Sequence, residues 1–290
     1  MGMNSAYQSS GKIFEQVSKK VNPGLIEQLK EVKPSDLIVV RGTYDHIEKL
    51  LDTLHVPYTL IGREEISKQN GGRVMFVNCM DYSNNGAYVK AVQSFVEGGG
   101  RLVTTDWAVG LLAKAFPGKL HKTNDTSDDV VEVKADNDIA RRFLGMNYAQ
   151  CHPKWWLEGS SHIYKIGEGV TTLFSSEEMK SKYGQAPVAV AFPHGNGEVF
   201  HFISHLELQR TKQKSASDKG TLEDFLKKMD AVKTCDMDAS LTVAELEAAY
   251  STLNTLANLC APLPIINSGT NSYLLKSAKA PTSEKSKKLV

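Results

Sequence analysis

The chain has 290 residues, of which 41% are hydrophobic, and its formal net charge is +1. A charge this close to zero excludes the strong attraction by which basic proteins bind nucleic acids or membrane surfaces, so neither partner is expected. The sequence contains no run of roughly 20 apolar residues, and its start, MGMNSAYQSSGK, has no apolar stretch. We therefore expect no membrane span and no secretory signal, and we predict a cytoplasmic protein with a substantial hydrophobic core.

The cysteines are Cys79, Cys151, Cys235 and Cys260. None belongs to a Cys-x-x-Cys pair, the usual spacing of structural zinc ligands, so no metal site is predicted. A long chain without a secretory signal favours reduced thiols, and each cysteine is expected to pack as a small hydrophobic side chain. No cofactor is expected.

Residues 1–35 are predicted to form a helical segment with a break at Pro23, because proline cannot occupy a helix interior. An apolar strand at 36–42, an amphipathic helix at 44–54 and a short strand at 58–61 follow. This order is the beginning of a β-α-β pattern, which is typical of parallel sheets.

Residues 73–116 show the clearest pattern in the sequence. Two apolar runs, at 73–79 and 101–105, end in polar residues and lead into amphipathic helices. Continuous apolar strands that alternate with helices are typical of a parallel sheet covered on both faces. The pattern predicts an α/β fold with a flavodoxin-like, doubly wound and mostly parallel sheet.

Beyond Gly118 the alternation gives way to short strands. Residues 187–205 contain two apolar runs joined by the turn-forming residues at 193–197, which is a hairpin signal. We therefore predict antiparallel β-additions to the sheet. The α/β domain is expected to span residues 36–210, and the polar residues 211–220 are expected to form a linker.

A C-terminal helical appendage is predicted at 221–262, followed by a flexible Lys- and Ser-rich tail at 263–290. Its second helix opens with a capping box of Thr242 and Glu245. The apolar residues of that helix recur at alternating spacings of three and four, which suits helix packing. They are Val243, Leu246, Tyr250, Leu253, Ala257 and Cys260. Such a stripe covers the protein's own core or, alternatively, mediates self-association or binds a protein partner.

Ligands of parallel α/β sheets bind beyond the carboxyl ends of the strands, and this rule selects the candidate site residues. Cys79 and Asp81 follow the first strand of the central pattern, and Asp106 and Trp107 follow the second. Thr43 follows the first strand of the chain near a helix start, where it could contact an anion. We therefore expect a cleft for a small ligand at this edge.

The run VEGGGRLVTTDWAVGLL, the upstream VMFVNC and the later GNGEVFHFISH resemble the class I glutamine amidotransferase-like superfamily over residues 36–205. The resemblance implies that Asp106 stands at the nucleophile elbow and that His205 returns to the site from its strand. A catalytic amidotransferase needs a glycine-flanked cysteine at the elbow, whereas this chain has Asp106 between Thr105 and Trp107. The resemblance therefore implies a relative without glutaminase activity, or another reaction on the same scaffold.

Each candidate also has a structural alternative. Asp106 could cap the helix that begins at Trp107, and Cys79 could be a buried hydrophobe instead of a nucleophile. His205 could be a hydrogen-bonded histidine at a strand end instead of a general base or ligand contact. Along one strand, His201 and His205 would lie about 13 Å apart, which is too far to bind one metal ion.

Trp155 and Trp156 are adjacent, so in an extended segment their side chains point to opposite faces. One is expected in the core and the other near a ligand, on which an indole ring can stack. Glu158 and His162 lie close by in the sequence and could add polar contacts. Trp155 and Glu158 are assigned to ligand binding.

The missing elbow cysteine and the apolar stripe favour a non-catalytic, amidotransferase-like protein that binds or scaffolds a partner. The alternative is a hydrolase or transferase that uses Asp106 and His205, with Cys79 as a further candidate, in the strand-end cleft. Substitution of Asp106 and His205 would distinguish the two, because only an enzyme would lose turnover.

Overall fold

The structure, a computed structural model, describes residues 3–69, 71–82, 86–146, 150–207 and 210–261. The helices are α1 (Asn4–Val21), α2 (Pro23–Lys30), α3 (Ile47–Thr53), α4 (Gly86–Glu97), α5 (Val109–Ala115), α6 (Asp138–Leu144), α7 (Glu177–Tyr183), α8 (Leu222–Met229) and α9 (Val243–Cys260). The strands are β1 (Leu37–Val40), β2 (Thr59–Ile61), β3 (Val74–Val77), β4 (Arg101–Thr105), β5 (Leu120–Asp125), β6 (Asp129–Glu132), β7 (Lys134–Ala135), β8 (Lys154–Leu157), β9 (His162–Ile166), β10 (Thr171–Ser175), β11 (Pro187–His194) and β12 (Gly197–Phe202). The predicted tail at 263–290 lies outside the described residues.

The main sheet has eight strands in the order β2-β1-β3-β4-β12-β11-β10-β7. The neighbours from β2 to β12 pair in parallel. This half has the spatial order of a flavodoxin-like sheet, with β12 in the fifth position. The predicted α/β fold with a mostly parallel, flavodoxin-like sheet is therefore confirmed.

The other half of the sheet is antiparallel, because β12, β11, β10 and β7 pair in alternating directions. The predicted hairpin joins β11 to β12, with His194 opposite Gly197, and Gly195 at its tip has a φ of 56°. Two smaller antiparallel sheets, β5 with β9 and β6 with β8, complete the predicted β-additions.

The core lies on the central strands. All residues of β1, β3 and β4 are buried, as expected for strands covered on both faces, and in β4 this includes the polar Arg101, Thr104 and Thr105. The break between the first two helices is at the predicted place, with Pro23 as the first residue of α2, where no backbone N–H is needed. No helix of the described residues is both long and apolar enough to cross a bilayer.

The burial of α9 bears on the two alternatives for its apolar stripe. Every residue of α9 except Glu245 is buried, and the helix contacts α1, α2, α3, α6 and α8. A helix that is buried on all sides offers no face to a partner. The stripe from Val243 to Cys260 therefore covers the protein's own core, and it does not support self-association. The predicted boundaries at residues 36, 211 and 221 stay predictions.

Candidate functional site

Three candidate side chains from separate strands meet at the carboxyl edge of the sheet. Cys79 follows β3, Asp106 follows β4 and His205 follows β12, and these strands are parallel neighbours. Cys79 Sγ lies 3.7 Å from Asp106 Oδ2, and His205 Nε2 lies 3.3 Å from the same oxygen. We call Cys79, Asp106 and His205 the strand-end cluster. One ligand atom of each lies within 4.8 Å of the other two, so the cluster could hold a metal ion.

Asp106 occupies a strained backbone position at the end of β4. Its φ is 40°, a value that non-glycine residues rarely adopt and that is often found at functional sites. The short 3-10 helix after β4 has Thr105 as its N-cap, so the role of Asp106 as that helix's cap is excluded. Its carboxylate instead accepts hydrogen bonds from the backbone N–H of His162 at 2.9 Å and from Ser161 Oγ at 3.0 Å.

His205 connects this buried carboxylate to the exterior. Its Nε2 faces Asp106, while its Nδ1 lies 3.4 Å from Glu158 Oε2, in a side chain that is 38% exposed. Burial by itself lowers the pKa of His205. The Asp106 carboxylate, the Cys79 side chain and the charge of Asp45 outweigh burial and raise that pKa well above its ordinary value. The surroundings of His205 therefore favour its protonated, positively charged form.

Cys79 is enclosed beside this ion pair. Burial raises the pKa of its thiol, and the nearby Asp106 charge adds to the effect, although the contact with His205 opposes it. The thiol is only 1% exposed, so it is neither ionised nor accessible at neutral pH. The backbone carbonyl of Cys79 accepts hydrogen bonds from the N–H groups of Thr43 and Tyr44, which fix the loop after β1.

Two further carboxylates lie close to His205. Asp45 is fully buried in the loop after β1, and burial raises its pKa. Burial also raises the pKa of Glu207, whose Oε1 pairs with Lys49 Nζ at 3.2 Å. Asp45 Oδ2 and Glu207 Oε2 have no hydrogen-bond partner among the described residues. Burial thus disfavours the charged form of both carboxyl groups.

A cleft of about 740 Å³ adjoins the strand-end cluster. Glu158 and Glu207 belong both to its wall and to the surroundings of His205. Trp156 forms another part of the wall, and the guanidinium of Arg210 lies 4.2 Å from the centroid of a Trp156 ring. Apolar ring surface combined with charges of both signs suits a small polar ligand.

The remaining predicted ligand-binding residues divide into two groups. Thr43 and Asp81 are exposed near the edge of the sheet. Trp107 stacks on His162 with ring centroids 5.3 Å apart and donates its indole N–H to the carbonyl of Ser160. These three residues surround the cluster without reaching the cleft described above.

Trp155 requires a correction. It is fully buried and donates its indole N–H to Ser251 Oγ at 2.9 Å, so it belongs to the core and does not line the cleft. The neighbouring Trp156 takes the cleft position instead. The alternation of the two tryptophans was predicted, but their order along β8 was assigned the wrong way round.

Asp45 and Ser161 belong to the site but were not selected from the sequence. Asp45 follows β1, a parallel strand of the sheet, so the strand-end rule contains a signal for it. Ser161 lies in the loop between β8 and β9, outside the main sheet. No spacing in the sequence indicates that its hydroxyl reaches Asp106.

The expectation of no metal site rested on the absence of Cys-x-x-Cys pairs. That criterion detects ligands that are close in the sequence, whereas the three residues of the strand-end cluster are brought together by the sheet. All four cysteines are free thiols, as predicted, but Cys235 is exposed, so the expectation that each cysteine packs as a buried hydrophobic side chain is wrong for that residue.

Comparison with known proteins gives a likeness in fold only. No protein-family model and no curated protein match the chain. A glutamine amidotransferase from Methylobacillus flagellatus is 14% identical, with 79% of this chain and 93% of that chain covered and a TM-score of 0.47. A glutamine amidotransferase from Thermotoga maritima is 11% identical, with 78% and 96% covered and a TM-score of 0.45.

A β-galactosidase from Rahnella sp. R3 is also similar, at 13% identity and a TM-score of 0.43. The similarity covers 60% of this chain and 29% of the β-galactosidase, so the chain matches less than a third of that protein. Likeness at this level carries no argument about activity, and any function has to be argued from the site itself.

Proposed function

We propose that the protein is a hydrolase or transferase that acts on a small polar molecule in the cleft beside the strand-end cluster. The observation that supports this is the position of His205, with Nε2 on the buried Asp106 and Nδ1 on Glu158 of the cleft wall. An imidazole held between two carboxylates can carry a proton from one to the other.

The roles follow from exposure and charge. Asp106 fixes the orientation of His205 and stabilises its positive charge. Glu158 is the carboxylate that touches a ligand in the cleft, where it accepts a proton from an attacking water or hydroxyl group. His205 supports Glu158 in general acid–base catalysis. Cys79 is not the nucleophile of the protein as it stands, because its thiol is enclosed and its pKa is raised.

The test is hydrolysis of a panel of chromogenic nitrophenyl esters, phosphates and glycosides by purified protein. For any substrate that is turned over, Glu158→Gln and His205→Asn should lower kcat by about 10²- to 10⁴-fold, the usual contribution of a general acid–base group. Normal turnover in both variants would refute the proposed roles.

A matched control is available in the pair of His152 and Glu132. These side chains are also 3.4 Å apart, but they lie outside the strand-end cluster and the cleft. His152→Asn and Glu132→Gln should leave turnover unchanged, because the pair has the same chemistry without the connection to Asp106.

The second candidate is a non-catalytic, amidotransferase-like binding protein of the cytoplasm. Its support is that the cluster is enclosed, with Cys79, Asp106 and His205 each 3% exposed or less, while the cleft beside it is open. With α9 buried, the cleft is the surface to test for binding. Quenching of tryptophan fluorescence by the same compounds, abolished in Trp156→Phe and not followed by turnover, would favour this candidate.

A further inference from the structure

We propose that the strand-end cluster binds a divalent transition-metal ion such as Zn²⁺, with Cys79 Sγ, Asp106 Oδ2 and His205 Nε2 as ligands. The inference deepens the proposed function and rests on it for the role of the ion, since an ion on His205 Nε2 would keep the ring proton on Nδ1, the nitrogen that faces Glu158. Binding of the ion can be tested separately from any reaction.

Two of the three distances between the ligand atoms agree with a tetrahedral site, and the third, between Cys79 and His205, is below 4.8 Å. For Zn–N and Zn–O bonds of about 2.0 Å and a Zn–S bond of about 2.3 Å, tetrahedral geometry separates N from O by about 3.3 Å and S from O by about 3.5 Å. The corresponding separations here are 3.3 Å between His205 Nε2 and Asp106 Oδ2, and 3.7 Å between Cys79 Sγ and Asp106 Oδ2. Side-chain shifts of a few tenths of an ångström would bring these two distances to the tetrahedral values.

The groups behind the ligands have the arrangement that supports metal sites in proteins. A metal-binding histidine usually presents its other ring nitrogen to a carboxylate, which fixes the orientation of the ring. Glu158 lies 3.4 Å from His205 Nδ1, on the side opposite Asp106. The ligating carboxylate is held as well, because Asp106 accepts hydrogen bonds from His162 N–H and Ser161 Oγ.

The charge around the cluster provides an independent indication of a cation. Asp45 is fully buried and Glu207 is 7% exposed, and each has one carboxylate oxygen without a hydrogen-bond partner in the described part of the chain. Uncompensated buried carboxylates are costly, so buried polar oxygens without partners call for an explanation such as an ion. A divalent ion at the strand-end cluster would place a positive charge near Asp45, the carboxyl group that acts on His205.

The ligand types select the class of metal. Thiolate and imidazole ligands favour zinc and similar transition metals, whereas magnesium and calcium prefer sites built only from oxygen. Three protein ligands leave one tetrahedral position for water, as in catalytic zinc sites. Binding displaces one proton from the Cys79 thiol and one from His205 Nε2, and both are released to the solvent.

The experiment measures metal content and Co²⁺ spectra of the full chain. Protein stripped with a chelator and then dialysed against Zn²⁺ is expected to retain one ion per chain. Loading with Co²⁺ is expected to give the intense near-ultraviolet band of a thiolate–cobalt bond. Cys79→Ser should abolish that band, and His205→Gln should lower the affinity for Zn²⁺ by at least tenfold.

One control variant and one variant of the outer-shell carboxylate complete the experiment. Cys151→Ser removes another buried thiol and should leave both the metal content and the Co²⁺ spectrum unchanged. Glu158→Gln changes a partly exposed residue, so the variant should fold, and it should weaken Zn²⁺ binding by about 10- to 100-fold, as loss of an outer-shell carboxylate does elsewhere. Circular dichroism of each variant verifies its fold.

The outcomes separate this inference from the proposed function. If no stoichiometric ion is retained, or if Cys79→Ser and His205→Gln bind Zn²⁺ as well as the wild type, the metal site is refuted. Turnover of a nitrophenyl substrate by metal-free protein would leave the proposed hydrolase standing without the ion. Stoichiometric, Cys79-dependent Zn²⁺ binding without turnover would support the site and refute the proposed reaction.

Discussion

The buried ionic groups of this protein fall into two kinds. Arg101 pairs with Glu198 at 2.6 Å and donates further hydrogen bonds to the carbonyls of Leu259 and Ala261, which closes the end of α9. Around the strand-end cluster, by contrast, Asp45 and Glu207 each have one buried carboxylate oxygen without a hydrogen-bond partner among the described residues. Buried charges that are paired and hydrogen-bonded, here called matched, hold chain segments together. Buried carboxyl groups with an unpartnered oxygen, here called unmatched, indicate a place where an ion or ligand binds.

A second matched pair lies between β8 and the segment before α8. Lys154 Nζ donates to Asp218 Oδ1 at 2.7 Å, and Asp218 Oδ2 accepts from the N–H groups of Lys214 and Ser215, also at 2.7 Å. Both partners of the pair are almost completely enclosed. We expect substitutions at the matched pairs to destabilise the protein and removal of an unmatched charge to stabilise it.

The largest effect is expected for Arg101→Met. The change leaves Glu198 as a buried charge without its main partner and two carbonyls at the end of α9 without donors. Breaking a buried pair in this way costs about 3–5 kcal/mol, measured as the free energy of unfolding in urea. The control is Arg141→Met, which breaks an exposed pair with Asp138 and should cost no more than about 1 kcal/mol. Equal losses of stability in Arg101→Met and Arg141→Met would contradict the distinction between the buried and the exposed ion pair.

Asp218→Asn should cost about 2–3 kcal/mol at pH 7, because hydrogen bonds to a charged acceptor are lost. Burial by itself raises the pKa of Asp218, but Lys154 and the two backbone N–H groups outweigh it and lower the pKa below its ordinary value of 3.8. The contribution of the carboxylate is therefore complete above about pH 4 and is lost as the pH falls through the pKa of the folded state.

Urea unfolding at a series of pH values tests this dependence. The stability of wild-type protein should approach that of Asp218→Asn as the pH is lowered, since protonated Asp218 has also lost its charge. A difference between the two proteins that stays constant down to pH 2 would show that the charge of Asp218 contributes nothing.

Asp45→Asn should stabilise the protein, in contrast to the substitutions at the matched pairs. Asparagine can keep the hydrogen bond from His46 N–H to Oδ1, and it removes a carboxylate whose charge is disfavoured by burial and whose other oxygen has no hydrogen-bond partner in the described part of the chain. We expect a gain of about 1–2 kcal/mol in the free energy of unfolding of chelator-treated protein at pH 8. A loss of stability would mean that the carboxylate is matched, and the charge argument for the metal site would fail.

The smallest effect concerns thiol access. Cys235 is exposed, whereas Cys79, Cys151 and Cys260 are buried. Brief treatment of native protein with iodoacetamide should add one label per chain, located at Cys235 by peptide mass spectrometry, without changing the stability. Rapid labelling of Cys79 would show that the strand-end cluster opens to solvent.

Local patterns in the sequence were sufficient to predict the parallel sheet and to select two of the three residues of the strand-end cluster. The apolar runs of β3 and β4 end next to Cys79 and Asp106, and the strand-end rule selects them because both strands are parallel and buried. His205 was found through its strand. Its distance from Asp106 depends on β12 pairing beside β4, a contact between strands about 100 residues apart that no local pattern encodes.

The wrong predictions also have physical causes, since they depend on contacts between segments that are far apart in the sequence. Trp155 and Trp156 alternate as predicted, but which of them faces the core depends on α9, whose Ser251 accepts the indole N–H of Trp155. The apolar stripe of α9 was visible in the sequence, yet its exposure depends on helices from the opposite end of the chain. Ser161, which donates to Asp106, was missed because its loop lies outside the main sheet, although Glu158 of the same loop and His162 after it were selected.

The packing of α1 on α9 determines the order in which the chain can fold during its synthesis. Ser10 Oγ donates to the carbonyl of Leu246, a contact between residues 236 positions apart, and Ser9 Oγ accepts from Asp238 N–H. On the ribosome α1 therefore emerges long before its partner, with Ile13 and Phe14 uncovered while the central sheet is still being made. Helix α1 completes its packing only when α9 has left the exit tunnel.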